Sequence, residues 1–420
     1  MSSPQVQQQR RIRLAPLPLS ALPSHPALAE RPRQNGESNN NNSNNQNQNQ
    51  NQNGNNNGNN NAATTRPPLA AFIKQALDEA HTLLSDTIPL TFRVDKKLRS
   101  SPPSNAKVQL SSRVIPVSTE ISPSVNGEKR KIKDDEEYWV CRKSIHVDAP
   151  EEGTASWKEF ENGLRFDHSQ HEMEYTPSVS SVETLLEWKD VDLGQQESGA
   201  GWRGVDMHVN MITHTFHPSI LISPRTFITC VISAFRSDST RNPDLSDASS
   251  TDGLDPEEKE FVTIQIPVEP PSNPSAEITD AAVLSTFASA PPKDTIFANY
   301  ASVERVHSLP SNINIIKSPR PSVDVTRSRA GLIFSPRSSL STARPVPGAG
   351  GPPRRMSNPR SAIIEWTMAT TSDAGGLIPS WVQRSWTMGG VPKAVVADVG
   401  LFLGWVAKKR QAEELQELRS

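Results

Sequence analysis

Cysteine is scarce: Cys141 and Cys230 are the only two in 420 residues. Both stand in strand-like runs, where small core residues belong, so a disulfide scaffold is excluded and a reducing compartment is expected. No run of about 18 apolar residues occurs, which excludes a transmembrane helix. Arg10, Arg11 and Arg13 precede any acid, as in a mitochondrial presequence, but the surrounding Pro and Gln work against an amphipathic helix, and the cytoplasm is the expected location. Apolar residues make up 34% of the chain, against about 45–50% (glycine included) in ordinary globular domains. One folded domain with long unstructured attachments fits that deficit better than two or three domains. The net charge of −2 supplies no field for nucleic acid, which is not expected as a partner. Catalytic signatures are missing as well: no G-x-S-x-G, no phosphate-cradling glycine loop, no H-E-x-x-H and no C-x-x-C. His168 and His171 stand three apart, as do His214 and His217, without a Cys or carboxylate at diagnostic spacing. Neither a metal, nor a cofactor, nor an enzyme is expected.

What is present divides the chain. Residues 1–66 form an Asn/Gln-rich tail whose Asn39–Asn61 stretch has too little apolar surface to offset ordering entropy, so the tail is expected to be disordered. Pro67-Pro68 then opens a helix with Leu69, Phe72, Ile73, Ala76, Leu77, Ala80 and Leu83 on one face. Strands are expected at Glu136–Val147, Trp202–Thr215, Phe227–Phe235, Phe261–Val268, Phe297–Val306 and Ile363–Thr371. Thr154–Leu164 reads as a short helix, His171–Tyr175 as strand, and Val182–Trp188 as a helical turn or two. Two polar insertions, about 236–260 and 308–360, interrupt a domain spanning 67–410 and are expected to be disordered. Residues 411–420 make an exposed tail.

The terminal stretch carries the clearest pattern. A strand ends in Ser372-Asp373-Ala374-Gly375-Gly376, and Ile378-Pro379 opens an apolar-periodic run through Trp381, Trp386, Val395, Phe402 and Val406. Gly389-Gly390 and Pro392 predict a break in that helix. The ordered pattern is α+β, with an antiparallel meander and helices gathered on one side.

Pro224-Arg225-Thr226-Phe227 opening a strand, followed at the end by Asp373-Ala374-Gly375-Gly376-Leu377-Ile378-Pro379, resembles the START lipid-transfer domains. Trp157-Lys158-Glu159-Phe160, Asp167-His168-Ser169 and Ser302-Val303-Glu304 resemble a START-like branch found in fungal proteins. The resemblance implies a helix-grip fold, a curved antiparallel sheet around the C-terminal helix, with a lipid-sized tunnel between them and that helix as lid. START domains that carry sterol place a buried acid and base on two of these strands; registered on Arg225, those positions hold Ile212 and Val231.

The expected function is therefore non-catalytic binding, with intermembrane transfer, of a lipid or other hydrophobic ligand. The alternative is an interaction scaffold with a filled START-like module. Met207, Val209, Trp366, Ile378, Trp381, Trp386, Val395, Phe402 and Trp405 are the expected ligand lining. Asp373, Gly375, Gly376 and Pro379 are the expected lid hinge. Arg225 is expected to pair with a buried acid such as Asp206 or to contact a headgroup. The insertion offers Ser318 and Ser335 to proline-directed kinases and Ser357, after Arg354-Arg355, to basophilic ones. Transient contact with anionic lipid is expected of that Arg-rich segment.

Overall fold

A computed structural model describes residues 10–29, 66–116, 136–191, 193, 201–216, 223–237, 259–309, 362–376 and 378–419. Ser318, Ser335, Ser357 and the two insertions lie almost wholly outside these residues.

The centre is one sheet of eleven strands. The long strands are β3 (Lys107–Pro116), β4 (Glu136–Val147), β5 (Val179–Val191), β6 (Arg203–His214), β7 (Arg225–Ser237), β8 (Lys259–Pro267), β10 (Asn299–Leu309) and β11 (Ile363–Asp373). Short strands β1 (Arg93–Val94) and β2 (Arg99–Ser100) both pair along the edge of β3 away from β4, and β9 (Ile296–Phe297) runs parallel to the start of β7. The order is β1-β3-β4-β11-β10-β8-β7-β6-β5, with antiparallel neighbours throughout. The C-terminal helix, Val391–Glu417, crosses one face of this sheet. The expected α+β arrangement of a sheet around a terminal helix is thus what forms.

Both faces of the sheet are covered, and this explains why its strands are buried at consecutive positions. Helix α1 (Leu69–Thr82), followed in the chain by the one-turn helix α2 (Ile88–Thr91), lies on the outer face with Phe72, Ile73, Ala76 and Leu77 inward. Beneath it lie Met207, Val209, Cys230, Ile232, Ile264 and Val303. The inner face, under the terminal helix and helices α3 (Trp157–Leu164) and α4 (His168–Tyr175), takes the alternate positions. There Arg142 faces Met368 across β4–β11, and Glu304 faces Thr263 and Met368 from β10.

Three segments differ from the sequence reading. Residues 10–29, assigned to a solvated tail, form an ordered strap on the outer face, with Ile12, Leu17, Leu19, Leu22 and Leu28 buried. Its extended backbone is satisfied from outside: Glu79 accepts from the Arg11 and Ile12 amides at 2.8 and 3.0 Å, and Arg66 donates to the carbonyls of Leu19, Leu22 and Ala29. Val182–Trp188 is strand β5 rather than helix. Register shifts along β5, one between Thr184 and Leu186, leave Leu185 and Leu186 both buried and so imitate a helical spacing. His171–Tyr175 is part of α4, entered through Asp167 at φ 45°.

Both cysteines are free and buried, and burial pushes their thiols up to about 11 for Cys141 and about 12 for Cys230. They are core residues without nucleophilic character. Among the described residues no helix is long and apolar enough to cross a membrane.

Candidate functional site

Period two along each strand decides which side chains look at the terminal helix. From β4, β10 and β11 these include Arg142, Glu304 and Trp366; α4 adds His168 and Glu172, and the terminal helix adds Asp398. They enclose a cavity of about 40 Å³.

Arg142 is the hub. Its Nη2 donates to Glu304 Oε1 at 2.9 Å, and its guanidinium lies 3.9 Å over the Trp366 ring. Trp366 Nε1 donates to the same Glu304 oxygen at 2.7 Å. Arg142 Nε and Nη1 have no partner among the described residues, nor has Gln265 Oε1 on the same cavity wall. A buried unpaired donor costs about 1–3 kcal/mol, more when charged. Among the described residues the wall thus presents two unpaired donors and one unpaired acceptor.

Two of the acids around it, Glu172 and Asp398, are held toward their neutral forms. Burial, then Asp398 and Glu304, pushes Glu172 up to about 8. Burial pushes Asp398 up to about 6, with Arg142 pulling down and Glu304 adding to the rise. His168 accepts no such charge: burial lowers its pKa, against the pull of Glu304, and its Nδ1 lies 2.9 Å from the Leu164 carbonyl. Near neutral pH the cluster thus offers a cation, a carboxylic acid and at least one carboxylate around one small space.

A raised carboxyl pKa means that the folded chain holds protons the unfolded chain has released. This contribution to stability is full below about pH 4 and is lost as pH rises toward 8. His168 has the opposite sign, its contribution falling as pH drops below its ordinary value. Glu172→Gln is expected to flatten the alkaline fall between about pH 5 and 8 and to raise stability at pH 8 by about 1–2 kcal/mol. The lower end is favoured because its side chain keeps 24% exposure. Urea midpoints at three pH values measure it; an unchanged slope would remove Glu172 from the proton balance.

The terminal helix is fastened over this cluster at several points. Phe402 sits fully buried among Trp366 at 5.2 Å, Phe160 at 5.3 Å and Tyr175 at 5.8 Å between ring centres. Gly400 lets the helix approach the chain at Pro102, where a Cβ would stand 2.3 Å from the Pro102 carbonyl oxygen. Arg410 Nη2 reaches Glu159 at 2.7 Å and the Thr154 carbonyl at 3.1 Å, and Trp405 Nε1 donates to Glu174 at 2.8 Å.

The structure separates the expected lining residues. Trp366 lines the cavity; Val395 and Phe402 pack with it in the buried cluster, and Trp405 packs against Phe402. Met207 and Val209 point to the opposite face and belong to the outer core, a correction that follows from the sheet being covered twice. Trp381 is 62% exposed, Ile378 is half-buried, and Trp386 stacks under Arg99 on an outer groove. Among the described residues the cavity at the Arg142 cluster measures about 40 Å³, against about 300–1,000 Å³ for ligand pockets in general. The rings of Phe160, Trp366 and Phe402 pack on one another beside it.

Arg225 does not meet Asp206, which bonds His208 at 3.1 Å. It donates instead to Ala374 O at 3.1 Å and to Ser223 O, holding the turn before the terminal helix. In that turn Gly375 and Gly376 take φ of 63° and 64°, Asp373 Oδ1 accepts from the Gly375 amide at 2.9 Å, and Pro379 precedes a single helical turn, Ser380–Gln383. The expected break at Gly389-Gly390 separates that turn from the long helix. Ile212 and Val231 are both buried, with no charge at either position. Sequence reasoning missed Arg142, Glu172, Glu304 and Asp398. Asp398 left a signal, an acid inside the apolar run Val395, Val396, Val399, Phe402. Among the described residues no three His, Cys, Asp or Glu side chains are placed to hold a metal ion, and His217 lies outside them.

A sequence model of the family described as "Protein of unknown function (DUF3074)" matches residues 139–406, well over half of the chain. No curated protein matches. Among solved structures, human STARD10 is 9% identical, with a TM-score of 0.35 over 80% of this chain and 82% of that one. Human StAR-related lipid transfer protein 5 is 10% identical, with a TM-score of 0.36 over 82% of this chain and 98% of that one.

Proposed function

The chain belongs to the DUF3074 family of proteins of unknown function, which lends it no activity, and from its own geometry we propose a non-catalytic binding protein for a lipid or other hydrophobic molecule with one polar end. The observation that carries the reading is Arg142, buried in the inner wall with two donor atoms unpartnered among the described residues. The polar end of the ligand meets Arg142 and the neutral Glu172. Its apolar body takes the place now filled by the aromatic rings beneath the terminal helix, which moves outward as the lid, turning about Asp373, Gly375, Gly376 and Pro379. Burying an alkyl chain there gains about 25 cal/mol per Å² of apolar area. The motif resemblance to START domains supports a lipid over other amphiphiles.

Catalysis is not part of the proposal. Titratable groups do converge, as an enzyme would need, yet the buried Ser144–His146 contact of 2.8 Å lies outside the cavity, and His146 Nδ1 lacks an orienting acid among the described residues.

Native mass spectrometry of the full chain, with lipid extraction, tests the reading. One co-purifying amphiphile per chain, or its transfer between vesicles, is the expected result. A ligand-free chain that transfers nothing would favour the second reading, a filled module acting as an interaction scaffold. The cavity of about 40 Å³ is the observation on that side.

A further inference from the structure

Sites remote from the inner cluster include one where two exposed segments meet. The first is the edge segment from β1 to β2, both paired to β3, which carries Arg93, Lys96 and Lys97, all exposed and in no ion pair among the described residues, with Lys97 close enough to Asp95 to help lower its pKa. The second is the stretch between the turn at Gly376 and the terminal helix, which carries Arg384. Arg93, Lys96 and Arg384 line one open groove of about 610 Å³, together with Trp386 and Pro392, the latter in the first turn of the terminal helix. Arg99 ties the segments together, stacking 4.2 Å over Trp386 while bonding Asp95 at 2.7 Å.

Large apolar side chains stand on the same segments and are not folded inward. Leu90, in the helical turn Ile88–Thr91 just before β1, is 82% exposed, and Val94 and Leu98, among the cations of the segment, are 53% and 48% exposed. On the second segment Trp381 is 62% and Met388 58% exposed. The cations number five (Arg93, Lys96, Lys97, Arg99, Arg384) against two acids, Asp95 and Glu136, the latter 3.8 Å from Arg384. An exposed apolar set interleaved with net positive charge matches an interface of acyl chains and anionic headgroups. A nucleic acid would use the cations and leave Leu90 and Met388 without a role.

We infer that this surface docks the chain on an anionic lipid bilayer, with Leu90, Trp381 and Met388 entering the headgroup region and the cations meeting the lipid phosphates. The inference is independent of what the inner cavity binds. Because the groove reaches Pro392, docking takes hold of the end of the terminal helix nearest the turn.

Cosedimentation of the full chain with phosphatidylcholine vesicles, with and without phosphatidylserine, tests it. Binding is expected only with phosphatidylserine and is expected to weaken as salt rises. Lys96→Ala and Lys97→Ala are each expected to weaken it roughly fivefold, the equivalent of about 1 kcal/mol per cation at such a surface. Brominated acyl chains are expected to quench tryptophan fluorescence in the parent chain, and Trp381→Phe to lose much of that quenching. Equal binding to both vesicles, unchanged affinity of the lysine variants, or no quenching would overturn the inference. So would binding to RNA or to an acidic protein when neither vesicle binds.

Discussion

Arg142→Met is expected to destabilise the fold by about 3–5 kcal/mol, because it leaves a buried carboxylate without its counter-charge. Glu304 would keep the Trp366 indole donor at 2.7 Å but lose the guanidinium at 2.9 Å. The stack of Arg142 on Trp366 at 3.9 Å would go too. Glu172 and Asp398 would remain beside an uncompensated acid. The double variant Arg142→Met, Glu304→Gln is expected to recover most of the loss, since a buried ion pair replaced by neutral groups of similar size is often neutral in stability. Ligand binding is expected to stay lost in both. That split separates a recognition role from a structural one: stability returns with the second substitution, binding does not. Arg142→Lys is expected to behave as a poor substitute, for an ammonium cannot stack on Trp366 and present a planar fork at once. Denaturant titration and lipid extraction of the purified variants read both quantities. A single variant as stable as the parent would show that Glu304 has another counter-charge.

The elements near the end of the chain were legible because each carries its own punctuation. The turn Asp373–Gly376 ends β11, Pro379 opens a turn of helix, and Gly390 precedes the long helix. The site was less legible for a physical reason. Alternation along a strand tells which residues share a face, but not which face meets the terminal helix. Met207 and Val209 were read as facing a ligand because apolar residues ordinarily face the one buried side. Here a strap and α1 cover the other side, so the apolar set fills the outer core and the polar set, Arg142, Glu304, Thr263 and Gln265, faces inward. The strap itself was hidden in the Pro-rich start of the chain. Its leucines follow no period, since an extended segment laid across a sheet has none to keep. The partners Arg142 and Glu304 stand 162 positions apart, and only the register of β4, β11 and β10 brings them together.

Phe402→Ala asks how the terminal helix is held, and its effect is expected to be as large. Phe402 is fully buried, and its ring meets Phe160, Trp366, Tyr175 and Trp405 within 5.8 Å between centres. Truncating a buried phenylalanine costs about 3–5 kcal/mol, part of it for the cavity left behind. That cavity would lie beside the Arg142 cluster, which already encloses about 40 Å³. If the helix is a lid, the cost falls on its docking: amide exchange along Val391–Glu417 should quicken while β7 and β8 keep the protection of the global fold. Arg410, bonded to Glu159 and to the Thr154 carbonyl, would still tether the far end of the helix. The opening would then start from the end nearest Gly390. The enlarged space is also expected to admit an apolar fluorescent probe that the parent chain excludes. If the helix is instead an integral part of the core, exchange should quicken everywhere together and the melting transition should remain single. Hydrogen exchange read by mass spectrometry distinguishes these outcomes, and a uniform loss of protection would count against any carrier that works by moving this helix.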